Sequence, residues 1–156
     1  MKTYLITDTH FNHKNIAKYC NRPDNFNELL WKGLEELPKD CTLIHLGDVC
    51  LGKENEVHER IAKLPYKKIL IKGNHDRKSD KWYIEHGWDN VCERIDGHYF
   101  GEFITLSHFP IPGIQNLNIH GHSHDKGKTE RINNHKLLAA EYTNYKPVLL
   151  EYFIKT

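Results

Sequence analysis

Residues 67–76 read KKILIKGNHD. A short apolar run that stops at a glycine and then turns polar predicts a strand over 67–72, with Gly73, Asn74, His75 and Asp76 on the turn beyond it. The same arrangement occurs twice upstream. Residues 42–48 (TLIHLGD) predict a strand over 42–46 ending in Gly47-Asp48, and residues 2–10 (KTYLITDTH) predict a strand over 2–7 ending in Asp8-Thr9-His10. Helical patterns lie between them: 14–19, then 26–37 with apolar residues three and four apart, a segment marked by Val57, Ile61 and Leu64, and a short one over 81–86. Further on, strands are expected near 91–95, 102–107, 117–120 and 148–153, with a weaker one at 136–140. Alternating β and α followed by mostly β predicts an α/β layered domain with at least one mixed sheet.

In open α/β sheets ligands collect beyond the carboxyl ends of the strands. Three such ends would bring a carboxylate, an imidazole and an amide to one place. Two later segments, Ser107-His108 and Gly121-His122-Ser123-His124, would join them. Asp8 and His10 are two apart, as are His122 and His124, so on extended backbone each pair would face one side. Glycines at 47, 73 and 121 permit sharp turns and close approach. The donors are oxygen and nitrogen without sulfur, a mix suited to Mn, Fe, Ni or Zn rather than Ca. Seven candidate ligands exceed the needs of one ion, so two cations are the economical reading.

Composition narrows the alternatives. The chain has 156 residues with 38% hydrophobic and 28% charged, an ordinary globular composition, and its length fits one domain over 1–156. The 22 Lys and Arg nearly cancel the 21 Asp and Glu, leaving +1. That balance argues against a broad electrostatic grip on nucleic acid or anionic membrane. No apolar run approaches the length of a membrane span, and no signal peptide is legible at the start. The four cysteines include no C-x-x-C pair and are expected as reduced, buried thiols in a cytoplasmic protein. Histidine is the outlier: there are 12, and five of them fall in the compact motifs. It is the commonest metal ligand and the side chain most often used for proton transfer near neutral pH.

The ordered set D-x-H, GD, GNHD, H and GHxH resembles the calcineurin-like metallophosphoesterase superfamily. The segments DTHFNHKNI and YCNRP are similar to its small bacterial and phage branch. The resemblance implies a sandwich of two mixed β-sheets flanked by helices. It also implies a site in which Asp8, His10 and His124 hold one divalent ion and Asn74, His108 and His122 a second. Asp48 would bridge them, with manganese the foremost candidate and Fe, Ni or Zn as others. His75 would bind no metal and would protonate the leaving-group oxygen, with Asp76 orienting or tuning it and water between the ions as nucleophile. His13, Arg22 and Arg77 are expected to touch the substrate.

The implied activity is hydrolysis of phosphate esters, with small nucleotide-type phosphodiesters favoured. A phosphomonoesterase, a small nuclease and a non-catalytic interaction scaffold of the same fold are the alternatives. Two departures from the family pattern stand out. The GD motif continues as VCLGK and lacks the extension of the phosphoprotein phosphatases. Asn12 stands where the branch would carry glycine. His45 and His120 are expected as packed or ligand-supporting groups, and His58, His86, His98 and His135 as surface residues.

Overall fold

The computed structural model describes residues 1–126 and 130–156. Strands β1 (Lys2–Ile6), β2 (Cys41–His45) and β3 (Lys67–Ile71) alternate with helices α1 (Lys14–Tyr19), α2 (Phe26–Glu35) and α3 (Glu54–Ala62). Helix α4 (Asp80–Glu85) and strand β4 (Asn90–Cys92) follow. The remaining elements are β5 (Arg94–Tyr99), β6 (Glu102–Ser107), β7 (Leu117–His120), β8 (His135–Leu137), β9 (Val148–Leu149) and α5 (Leu150–Lys155).

One sheet has the order β4-β3-β2-β1-β9 and the other β5-β6-β7-β8. Strands β1 to β4 run parallel, because each connection passes through at least one helix, and β9 closes the edge antiparallel to β1. In the second sheet β5 and β6 pair antiparallel, while β6, β7 and β8 are parallel. Both sheets are therefore mixed, as expected.

Two apolar layers hold the structure together. Leu5, Ile44 and Ile71 of the first sheet meet Ile104, Leu106 and Ile119 of the second. On the other face of the first sheet, Leu43 and Leu70 pack with Ile16, Leu30, Trp31, Leu34, Val57 and Ile61 from the helices. All five residues of β2 are buried, which is why its sequence reads as a continuous apolar run rather than an alternating one.

Two expected elements differ. The strand expected near 91–95 is split: β4 pairs with β3, and after Glu93 the chain enters the second sheet as β5. The strand expected over 148–153 is only two residues long and continues as α5. Leu150 and Phe153, three apart, bury one helical face, and Glu151 pairs with Lys155 at 2.7 Å across one turn. Among the described residues no helix is long and apolar enough to cross a membrane, and no disulfide links the cysteines.

Candidate metal centre

The ends of β1, β2 and β3 lie side by side because the three strands are hydrogen-bonded in register. The pairing continues past the strands: Asp8 N–H donates to Gly47 O at 2.9 Å and His10 N–H to Asp48 O at 3.1 Å. The second sheet adds its own ends, with Gly121 N–H donating to His108 O at 3.0 Å. His122 N–H reaches across to Asp8 Oδ2 at 2.9 Å. Five distant segments thus converge at one place.

The ligand segments are not extended. Asp8, His10, Asp48, His122 and His124 all have positive φ, between 46° and 68°. Left-handed backbone is uncommon for residues with a Cβ and concentrates at functional sites, where the surroundings over-determine it. The expectation that each i, i+2 pair shares a side of a straight strand is corrected accordingly: the pairs sit on tightly wound loops. Close approach also constrains two glycines. A Cβ on Gly73 would strike the Asp48 carboxylate, and one on Gly121 would strike the side chains of Thr7 and Asp8.

Two ligand groups result. Asp8, His10 and His124 offer donor atoms within 4.8 Å of one another, and so do Asp48, His108 and His122. In the first, Asp8 Oδ1 lies 3.6 Å from both His10 Nε2 and His124 Nε2. In the second, His108 Nε2 lies 3.3 Å from His122 Nδ1 and 3.0 Å from Asn74 Oδ1. Asp48 Oδ2 lies between the groups, 3.6 Å from His10 Nε2 and 3.4 Å from His108 Nε2. Its other oxygen accepts from the backbone N–H of His75 at 2.8 Å.

A divalent cation fits this donor set. Asp8 Oδ1 and both ring nitrogens of His10 are buried without a hydrogen-bond partner among the described residues. Orphaned buried polar atoms are rare in folded proteins and call for an ion, a water or a catalytic use. Asp8 Oδ2, by contrast, is occupied by Thr7 and the His122 N–H, which leaves Oδ1 turned inward.

The charges are strongly coupled. Burial opposes ionisation of Asp8, but contact with His10 and the charges of His108 and His124 outweigh it and hold the carboxyl far below its usual range. Burial likewise opposes the His108 imidazolium. The Asp48 contact and the Asp8 and Asp48 charges reverse this and raise it to about 9. His108 Nδ1 lies 2.8 Å from Leu46 O, so a proton on Nδ1 leaves Nε2 to serve as a ligand. His122 is shifted down by burial and by the neighbouring His108.

A cleft of about 590 Å³ opens over these groups, lined by His10, His13, Asp48, Asn74, His75, His122 and His124 among others. His75 faces it with Nδ1 unpartnered, its ring 5.4 Å from that of His10. His13 stands 6.0 Å from His75 and also borders a neighbouring cavity of about 620 Å³.

Three expected roles need correction. Asp76 does not reach His75. Its carboxylate accepts from the backbone N–H groups of Asp48 at 2.7 Å, Val49 at 3.1 Å and Gly73 at 2.8 Å, so it ties the second and third ligand loops together. Arg22 does not face the cleft. Its side chain is 0% exposed, and it donates to Thr9 O at 2.8 Å, Asp8 O at 2.7 Å and Glu141 Oε1 at 2.9 Å. Arg77 is exposed, outside the residues that line the cleft, and makes only a 3.5 Å contact with Asn74 O.

His58, expected at the surface, is 2% exposed on the buried face of α3. Asn12, with φ of 63°, holds the left-handed turn where the branch would carry glycine, and its amide donates to Gly52 O at 3.2 Å. Asparagine tolerates that backbone better than most residues.

Sequence reasoning missed Glu141, whose carboxylate joins Arg22 to His124. It sits in an unremarkable stretch, AAEYTNY, and the only available signal was that a buried arginine needs a buried anion. It also missed Tyr19 and Lys126, which line the cleft.

Comparison with known proteins agrees with this geometry. The calcineurin-like phosphoesterase family model matches residues 1–150. An uncharacterized protein of Methanocaldococcus jannaschii is 34% identical over 175 residues, covering 99% of this chain and 90% of that protein. A solved protein of unknown function from Aquifex aeolicus superposes with a TM-score of 0.76 at 27% identity, over 99% of this chain and 98% of that one. An archaeal phosphodiesterase superposes with a TM-score of 0.52 at 20% identity, over 89% and 82%, and shows the shared fold. A match across nearly the whole chain, on a site built for divalent ions, makes this protein a member of the calcineurin-like phosphoesterase family and a hydrolase of phosphate esters.

Proposed function

We propose that the protein hydrolyses small phosphodiesters of the nucleotide type with two divalent cations, manganese foremost. Asp8, His10 and His124 hold one cation; Asn74, His108 and His122 hold the other; Asp48 is shared between them. The observation that carries this reading is the position of Asp48 Oδ2, between a histidine of each group. Bound cations of this kind lower the pKa of water toward neutrality and offset charge on the attacking and leaving oxygens.

The chain's own residues do the rest. His75, like His13, faces the cleft without belonging to either ligand cluster, and it is the one on the loop of Asn74. It delivers a proton to the departing alkoxide, a contribution of ~10²–10⁴-fold that matters most for poor leaving groups. Its backbone N–H is fixed on Asp48 Oδ1, so the loop that carries the acid and the shared carboxylate are registered to each other. Asp76 keeps that register by accepting from three backbone donors. Asn74 supplies a neutral oxygen, which limits the negative charge facing an anionic phosphate.

His13 borders both the cleft and the neighbouring cavity, a position from which it would touch the substrate. Room for a second substituent favours a diester over a monoester. The thiols, none in a disulfide, support action in the cytoplasm. The test is a panel of phosphate monoesters and diesters, assayed with metal-stripped protein reloaded with Mn, Fe, Ni, Zn or Mg in turn. The proposal predicts turnover of diesters above monoesters, with manganese among the best ions. Turnover of monoesters alone would overturn the substrate assignment.

A further inference from the structure

Arg22 and Glu141 form a buried ion pair directly behind the first ligand group. The Arg22 side chain is 0% exposed and that of Glu141 is 6% exposed. The guanidinium holds the backbone carbonyls of Asp8 and Thr9, on the loop that presents Asp8 and His10, and grips Glu141 Oε1 at 2.8–2.9 Å. From that fixed point Glu141 Oε1 lies 3.4 Å from His124 Nδ1. His124 Nδ1 and Glu141 Oε2 are both buried and without a hydrogen-bond partner among the described residues. The opposite nitrogen, Nε2, is the one that faces Asp8 Oδ1 at 3.6 Å.

We propose that Glu141, anchored by Arg22, is a positioning residue for the first cation: it accepts a hydrogen bond from Nδ1–H of His124, keeping the proton on that nitrogen and so committing the Nε2 lone pair to the metal. The proposal rests on the two-cation reading above. A neutral imidazole has one N–H and one lone pair, and a carboxylate at Nδ1 decides which nitrogen is which. The arrangement also explains why an arginine is buried in the wall of a cation site. It neutralises Glu141, which keeps that carboxylate from serving as another ligand, and it fastens the loop of the other two ligands to the same anchor.

Cys20 bears on the competing possibility. Its thiol, His124 and Glu141 offer donor atoms within 4.8 Å and would make a separate cation site. The guanidinium on Glu141 repels a cation there, and such a site would compete with the first group for the His124 ring.

The experiment compares wild type with Glu141→Gln, His124→Ala and the double variant. Manganese binding to metal-stripped protein is measured by calorimetry, and circular dichroism checks the fold. In Glu141→Gln, one of the two manganese ions should bind about 10–100-fold more weakly, the effect typical of losing a group that orients a ligand. The second should be nearly unaffected. His124→Ala should weaken the same ion, and adding Glu141→Gln to it should cause little further loss.

Nitrogen-15 NMR of the metal-free protein should show His124 protonated on Nδ1 in wild type and a mixture of tautomers in Glu141→Gln. Conserved affinity for both ions in Glu141→Gln, or an equal further loss in the double variant, overturns the proposal. So does a thiolate-to-metal absorption band in cobalt-loaded protein. Fewer than two equivalents of manganese in the wild type overturns the two-cation reading itself, and the proposal with it.

Discussion

Two populations of buried histidine share this small protein. His58, on the buried face of α3, uses both ring nitrogens: Trp88 Nε1–H donates to its Nδ1 at 3.0 Å, and its Nε2 meets Cys50 Sγ at 3.8 Å. His45, inside β2, likewise accepts from the Gly47 N–H and meets Thr9 Oγ1. His10 is just as buried, at 2%, yet neither of its ring nitrogens is satisfied. The difference separates two jobs that one residue type can perform. A histidine whose nitrogens are both taken up by groups of the core, as in His58 and His45, supports the fold. One whose nitrogens are left bare beside carboxylates is there for something the protein binds.

That contrast can be broken from either side, and the largest effects belong to the cleft. Asp48→Ala removes the oxygen between the two ligand groups; turnover is expected to vanish and metal content, by elemental analysis, to fall. His75→Ala is expected to lower turnover by ~10²–10⁴-fold with both ions retained, if the ring is an acid rather than a ligand as proposed. Loss of metal in that variant would move His75 into the ligand set.

The core population should behave in the opposite way. With a pKa held down to about 4 by burial, against 6.5 when exposed, His58 stays neutral in the fold while the unfolded chain takes up its proton. A depressed histidine contributes stability that is complete above pH 6.5 and is lost as pH falls from 6.5 toward 4. Across that window the loss should approach about 3 kcal/mol in denaturant unfolding of wild type, and should shrink in His58→Leu. At neutral pH the same substitution leaves the Trp88 N–H without an acceptor and should cost about 1–3 kcal/mol, with turnover of the folded enzyme unchanged.

The sequence shows the cleft population more clearly than the core one. Asp8, Asp48, Asn74 and His75 follow short apolar runs directly, so the strand pattern alone carries them to one edge of a sheet. The frame was legible for the same reason: four of the five strands of the first sheet, and β6 and β7 of the second, carry apolar runs at their expected places, whereas Glu93 hides the crossing from β4 into β5. What was not legible depends on partners far apart in the chain. Arg22 and Glu141 are 119 residues apart, and nothing local distinguishes a buried arginine from one that greets phosphate. Asp76 stands next to His75, which suggested partnership, but its oxygens are drawn to a backbone donor on its own loop and two on the loop after β2. His58 looked like a surface residue because α3 is rich in charge, and its partners in the core, Trp82, Tyr83 and Trp88, lie 24 to 30 residues on.

The central claim is that two cations share Asp48. It is tested most directly by anomalous diffraction from crystals of the manganese-loaded protein. The account predicts two peaks about 3.5–4 Å apart, one among Asp8, His10 and His124, one among Asn74, His108 and His122, with an Asp48 oxygen reaching both. A single peak, or peaks away from Asp48, would contradict it.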